Sequence, residues 1–158
     1  MSDGPHVWRA DVHDADAVAQ LLIAFRDHIG RDRPSDNAFH AGVERLLEMR
    51  DCDFLLAAPA AGEPAVAVCQ LRYGFSVWRA GTECVLEDLY VAPGARRGGY
   101  GAALVEAALA RARERGSRWI ELDTHEDNAP AIALYERHGF RIGRGPGVRD
   151  IVLAQPLD

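Results

Sequence analysis

The stretch VAPGARRGGYGAAL, Val91 to Leu104, decides the reading of this chain. It holds four glycines and two adjacent arginines, Arg96 and Arg97. A strand-like run, ECVLEDLYV (83–91), leads into it. A helical stripe of Leu104, Val105, Ala108, Leu109 and Ala112 leads out and stops at Gly116. Glycine allows positive φ and close backbone approach. A helix N-terminus presents unpaired N–H groups and partial positive charge. With two arginines beside them, these features suit a diphosphate. A turn that needs glycine for steric reasons alone is the competing reading.

Upstream, HVWRA (6–10) reads as a short strand. From Asp14, the spacing of Val18, Leu21, Leu22, Phe25 and Ile29 predicts a helix ended by Gly30. GRDRPSD is a polar, proline-broken loop, and Phe39, Val43, Leu46 and Leu47 mark a second helix capped by Ser35 or Asp36. DFLLAA (53–58) and AVAVCQLRYGF (65–75) read as a hairpin, followed by a loop around Arg79 to Gly81. Downstream of the glycine stretch, RWIELDTH (118–125) is a strand and NAPAIALYERH (128–138) a short helix with Gly139 beyond its end. VRDIVLAQPL (148–157) is expected as a closing strand.

The order is therefore β-α-α-β-β-β-α-β-α-β. The strand–helix–strand unit from Glu83 to His125 needs a crossover, so its two strands run parallel, while the earlier hairpins are antiparallel. This predicts an α/β (α+β) fold, a mixed sheet with helices on both faces, and one domain over 1–158.

Composition narrows the function. The 158 residues are 48% hydrophobic and 27% charged, ordinary for a globular chain with a real core. No apolar run approaches the ~20 residues of a membrane span. The N-terminus, MSDGPHVWRA, lacks a charged-then-apolar leader, so a cytoplasmic protein without a membrane partner is expected. A formal charge of −6 argues against nucleic acid as the main partner. Cys52, Cys69 and Cys84 form no CxxC and read as buried free thiols. The six histidines form no HExxH and no close Cys/His cluster, so no metal site is expected.

Two phosphate motifs fail here. GxxxxGK[ST] is missing. Gly99-x-Gly101 begins a dinucleotide fingerprint, but Leu104 stands where the third small residue belongs. Arg96-Arg97-Gly98-Gly99-Tyr100-Gly101 instead fits Arg/Gln-x-x-Gly-x-Gly/Ala. With it, the chain resembles the GCN5-related N-acetyltransferase (GNAT) superfamily. NAPAIALYERHGF, Asn128 to Phe140, is similar to a second block of that family, Asn-x-x-Ala-x-x-Leu-Tyr-x-x-x-Gly-Phe. LEDLYVAP resembles the corresponding strand of the diamine and polyamine acetyltransferase branch. The likeness extends over essentially the whole element order. Two departures stand out: Arg97 replaces a frequent glycine, and Gly94-Ala95 replaces an acidic–aromatic pair.

The resemblance implies a mostly antiparallel sheet with a splayed parallel strand pair, acetyl-CoA as cofactor, a small-molecule amine as acceptor and a homodimer. By carry-over, Arg96, Arg97, Gly98, Gly99, Tyr100, Gly101 and Ala102 hold the pyrophosphate. Leu89, Tyr90 and Val91 line the pantetheine arm, with Asn128, Ala131 and Tyr135 beside it. Amine acetylation needs a base, because an alkylammonium near pKa ~10.4 is no nucleophile at neutral pH. It also needs donors for the carbonyl oxygen and an acid for the leaving thiolate. The resemblance assigns the base to Glu87 and the acid to Tyr135. Strand alternation predicts that Glu87 and Asp88 face opposite ways. The acceptor reads as a diamine, polyamine or amino-acid-like compound. Aminoglycosides, protein amines and a non-catalytic CoA-binding role remain open. Arg26 to Asp36, where Asp27, Asp32 and Asp36 alternate with Arg26, Arg31 and Arg33, is expected to form much of the acceptor site.

Overall fold

The computed structural model describes residues 4–143, 147 and 151–157, among which apolar spacing builds five strands and four α-helices. They are β1 (His6–Arg9), α1 (Ala15–His28), α2 (Asp36–Glu48), β2 (Cys52–Ala58), β3 (Ala67–Ser76), β4 (Gly81–Val91), α3 (Tyr100–Glu114), β5 (Ile120–Glu121) and α4 (Ala129–Arg137). The sheet runs β1-β2-β3-β4-β5, antiparallel except for the parallel β4–β5 pair.

Alternation along β2 feeds two cores. Phe54 and Leu56 pack with Val18, Leu22 and Val43 under α1 and α2. Leu55 and Ala57 pack with Leu104 and Ala108 of α3 on the other face. Both faces being covered, all seven residues of β2 are buried, as a doubly covered strand requires. Of the two caps expected for α2, Ser35 is used: the Ala38 N–H donates to its Oγ at 3.2 Å.

One buried charge cluster ties the far end of the sheet to α3. Asp53, 8% exposed, accepts from Tyr73 Oη–H and Arg111 Nε–H, each at 2.8 Å. Arg115 lies 3.7 Å from the same carboxylate and stacks over the Tyr73 ring. Burial pushes the Tyr73 phenol well above its ordinary pKa, with the Asp53 hydrogen bond adding to it. The three cysteines are free and buried. Burial raises Cys52 to about 11 and Cys84 to about 12 and pushes Cys69 higher still, so none carries an activated thiolate.

Three expectations need correction. The strand expected over 118–125 is only Ile120–Glu121, because pairing with β4 stops there. Of the closing strand expected over 148–157, residues 148–150 lie outside the described set. Residues 151–157 are exposed and, among the described residues, pair with no strand. The third concerns Glu87 and Asp88. The β3–β4 register slips between Gln70/Leu71: Gln70 faces Asp88 and Leu71 faces Leu86, which leaves Glu87 as the extra residue of a β-bulge. Cys84 and Leu86 therefore join the α3 core, whereas Tyr90, of the same parity, joins the α1/α2 core. Alternation fails at the bulge, and Glu87 and Asp88 share the α1/α2 face.

Candidate active site

β4 and β5 pair only at Cys84↔Ile120 and Val85↔Glu121. Flanking bonds run from Cys84 N–H to Trp119 O and from Arg118 N–H to Thr82 O, both 2.8 Å. Beyond Val85 the strands part. Leu86 and Asp88 to Val91 keep their β3 partners but turn the opposite edge to an open wedge, where among the described residues the backbone groups have no strand partner. Leu89 and Val91 pack on the α3 side, and Tyr90 is buried against Phe25 of α1, ring centroids 5.2 Å apart.

At the end of the wedge lies the glycine loop. Arg97 sits at φ 71, in the left-handed region where glycine is the usual occupant, and Gly99 at φ 79 is the N-cap of α3. Gly98 is required for space: a Cβ there would lie 2.5 Å from a Tyr100 ring carbon and 3.1 Å from Ala95 O. The Tyr100 ring and the Ala95 carbonyl already take that space, so the loop's own packing requires glycine there. Arg96 is held by its own donors: Nε–H donates to Val91 O at 3.3 Å, and Nη2 lies 3.3 Å from His28 Nε2. Tyr100, Gly101 and Ala102 occupy the first turn of α3, whose amides have no i−4 carbonyl partners. The free amides at the start of α3 and the neighbouring arginines suit a diphosphate by donor set. Sequence reasoning missed His28, whose link to Arg96 spans 68 positions and has no local signal.

α4 brings the second block to the wedge. Asn128 Oδ1 accepts from Ala131 N–H at 3.4 Å and so caps the helix. Tyr135 is half-buried, with Phe140 edge-on at 5.7 Å between centroids. Burial first, then the nearby Cys69 and Asp88, pushes its phenol up to about 12. Tyr135 thus stays protonated at neutral pH and can donate a hydrogen bond. Its high pKa makes full proton transfer to a thiolate less favourable than for an ordinary phenol.

On the α1/α2 face, two adjoining cavities of about 160 and 260 Å³ share Leu22, Pro34, Phe39 and Asp88. Asp88 is the carboxylate common to both. Burial raises its pKa, and Glu87 and Asp123 add to the shift. Glu87 stands beside it on the same face but more open to solvent, 3.7 Å from Arg72 Nη1. The structure thus places the two acids together at the wedge, where alternation had predicted their separation. Tyr135 is near enough to feel the charge of Asp88.

A splayed parallel pair ending on a glycine loop at a helix start, with acids on one flank, defines an α/β fold with an anion-suited loop beside two carboxylates. The comparisons give the family. The acetyltransferase (GNAT) family model matches residues 16–140, and the chain belongs to that family. It is an acyltransferase, of a family whose acetyltransferases use acetyl-CoA. It is 30% identical over 140 residues to an uncharacterised N-acetyltransferase, YhfO, of Bacillus subtilis (strain 168), covering 89% of this chain and 92% of that protein. A crystal structure from Arthrobacter sp. FB24, assigned as an acetyltransferase, superposes with a TM-score of 0.84 at 30% identity, covering 99% and 98% of the two chains. A thialysine N-ε-acetyltransferase of Sus scrofa is 33% identical over 88 residues, about half of each chain (52% and 51%).

Proposed function

We propose that this chain transfers the acetyl group of acetyl-CoA to the primary amine of a small molecule by direct attack in a ternary complex. The observation that supports this most is the unpaired edge of β4, which runs from the Glu87/Asp88 pair to the glycine loop. In this reading Arg96 to Ala102 hold the pyrophosphate, and backbone groups of Leu89 to Val91, with Asn128, Ala131 and Tyr135, line the arm. Acetyl-CoA, when bound, supplies an activated acetyl thioester. The chain manages the protons. Asp88, in the cavity, receives the ammonium. Glu87, beside it and in reach of solvent, removes the amine proton through a water. A β4 amide near Leu89 or Tyr90 donates to the carbonyl oxygen. Tyr135 donates toward the departing sulfur.

A small diamine, polyamine or amino-acid-like compound is the acceptor class. We extend the proposal to a homodimer, supported by the exposed Phe75, Val77 and Trp78 at the β3–β4 hairpin. Acetyl-CoA is expected to raise Tm by mass action, and an amine panel with acetyl-CoA in excess is expected to release CoA. No Tm shift at millimolar acetyl-CoA would remove the cofactor assignment. Sedimentation at a single monomer mass would remove the dimer.

A further inference from the structure

The cavity beside Asp88 is lined by charges of both signs. Asp88 supplies the negative one. Three arginines, Arg26, Arg31 and Arg33, also line it. Arg26 is already committed: it lies 2.8 Å from both Asp27 and Asp36, donates to Pro34 O at 2.7 Å, and stacks over Phe39. Its charge is answered within the protein, and its role is to hold the α1–α2 loop in place. The same contacts occupy Asp27 and Asp36, two of the three acids that sequence alone sets against the arginines.

Arg31 and Arg33 are different. Both are exposed, and among the described residues neither side chain makes a hydrogen bond or ion pair. Asp32 lies between them in sequence but does not line the cavity. Apolar side chains of Leu22, Phe25 and Ile29 complete the walls. The lining charges without a protein partner among the described residues are thus one carboxylate, on β4, and two guanidiniums, on the α1–α2 loop, with apolar side chains lining the same cavity.

We infer that the acceptor is a zwitterion: an aliphatic chain with the reacting amine at one end and a carboxylate at the other, read by Arg31 and Arg33. A guanidinium matches a carboxylate with paired, charge-assisted hydrogen bonds. The same two charges repel the second ammonium of a diamine or the several ammoniums of an aminoglycoside, so the loop selects by exclusion as well as attraction. This inference rests on the proposed acetyl transfer and narrows its acceptor to the amino-acid-like class.

Three acceptors of matched length separate the terms: 5-aminopentanoate, pentylamine and 1,5-diaminopentane, with the full chain and saturating acetyl-CoA. The expected kcat/KM is at least about 10-fold higher for 5-aminopentanoate than for the diamine. Replacing both arginines (Arg31→Gln with Arg33→Gln) is expected to lower kcat/KM for 5-aminopentanoate about 10-fold more than for pentylamine. Arg33→Glu is expected to shift the preference toward the diamine. Both positions are exposed, and an unchanged Tm verifies folding. Wild-type preference for the diamine overturns the inference and leaves acetyl transfer standing. So does a double variant that loses both acceptors equally, or one whose main change is a raised KM for acetyl-CoA, which would assign the arginines to the cofactor. Failure of every amine to stimulate CoA release overturns the proposed function and this inference together.

Discussion

Glu87 and Asp88, consecutive on β4, point to the same face of the sheet because Glu87 is the extra residue of a bulge. Two neighbouring acids can therefore act on one amine, one binding and one removing the proton. Glu87→Gln is expected to lower kcat about 100-fold near neutral pH with little change in acetyl-CoA affinity. The deficit is expected to shrink as pH approaches the amine's own pKa, ~10. A pH-independent wild-type rate would exclude Glu87 as base. Asp88→Asn is expected to act mainly on the amine KM.

Asp88 also makes a stability prediction. Its folded pKa lies above the unfolded value, so the folded state holds the extra proton between the two. The stability this group contributes therefore falls as pH rises through that window. Asp88→Asn is expected to raise Tm by roughly 1–3 °C at pH 7 and by less at pH 4. A lower Tm at pH 7 would show that the carboxylate is stabilised by partners instead.

Tyr135→Phe is expected to slow kcat about 10- to 100-fold without altering the shape of the rate–pH profile in the neutral range, since burial pushes the phenol up to about 12. Wild-type turnover in this variant would reduce Tyr135 to packing against Phe140.

The glycine loop separates conformation from contact. Arg97 holds a left-handed backbone that disfavours any side chain by about 1 kcal/mol. Arg97→Gly is expected to raise Tm by about 2–4 °C. If its guanidinium reaches the pyrophosphate, acetyl-CoA affinity falls in the same variant. Gly98→Ala is expected to weaken acetyl-CoA binding at least about 10-fold, because its methyl must displace the Tyr100 ring. Titration calorimetry reads both, and unchanged affinity in Gly98→Ala would mean the loop tolerates a shifted ring.

The Asp53 cluster is distant in role from the chemistry. Asp53→Ala is expected to lose about 3–5 kcal/mol in urea unfolding, because Arg111 loses its buried partner. Tyr73→Phe, which removes one hydrogen bond, is expected to lose about 1 kcal/mol. Equal losses would place the energy in the phenol instead of the ion pair.

Much of the scaffold was legible in local pattern. The period of Val18, Leu21 and Leu22 marks α1, Ser35 caps α2, and the glycine run opens α3. Arg97 stood out as a replacement, and its positive φ gives the physical reason glycine is common there. β5 was overread because strand propensity continues through 118–125 while its partner β4 departs after Val85.

The amino-acid sequence alone determined the family, the element order as far as α4 and the residues at the start of α3, because these depend on interactions within a few positions. Tertiary structure decided what surrounds the acceptor. A bulge inserts one residue against β3 and reverses the parity of everything after it, which no period-two pattern in β4 announces. The pairing of Arg26 with Asp27 and Asp36 silences one arginine and leaves Arg31 and Arg33 to face the cavity. Charges that average out along the chain are sorted in space, since folding brings some into contact and leaves others open to a ligand.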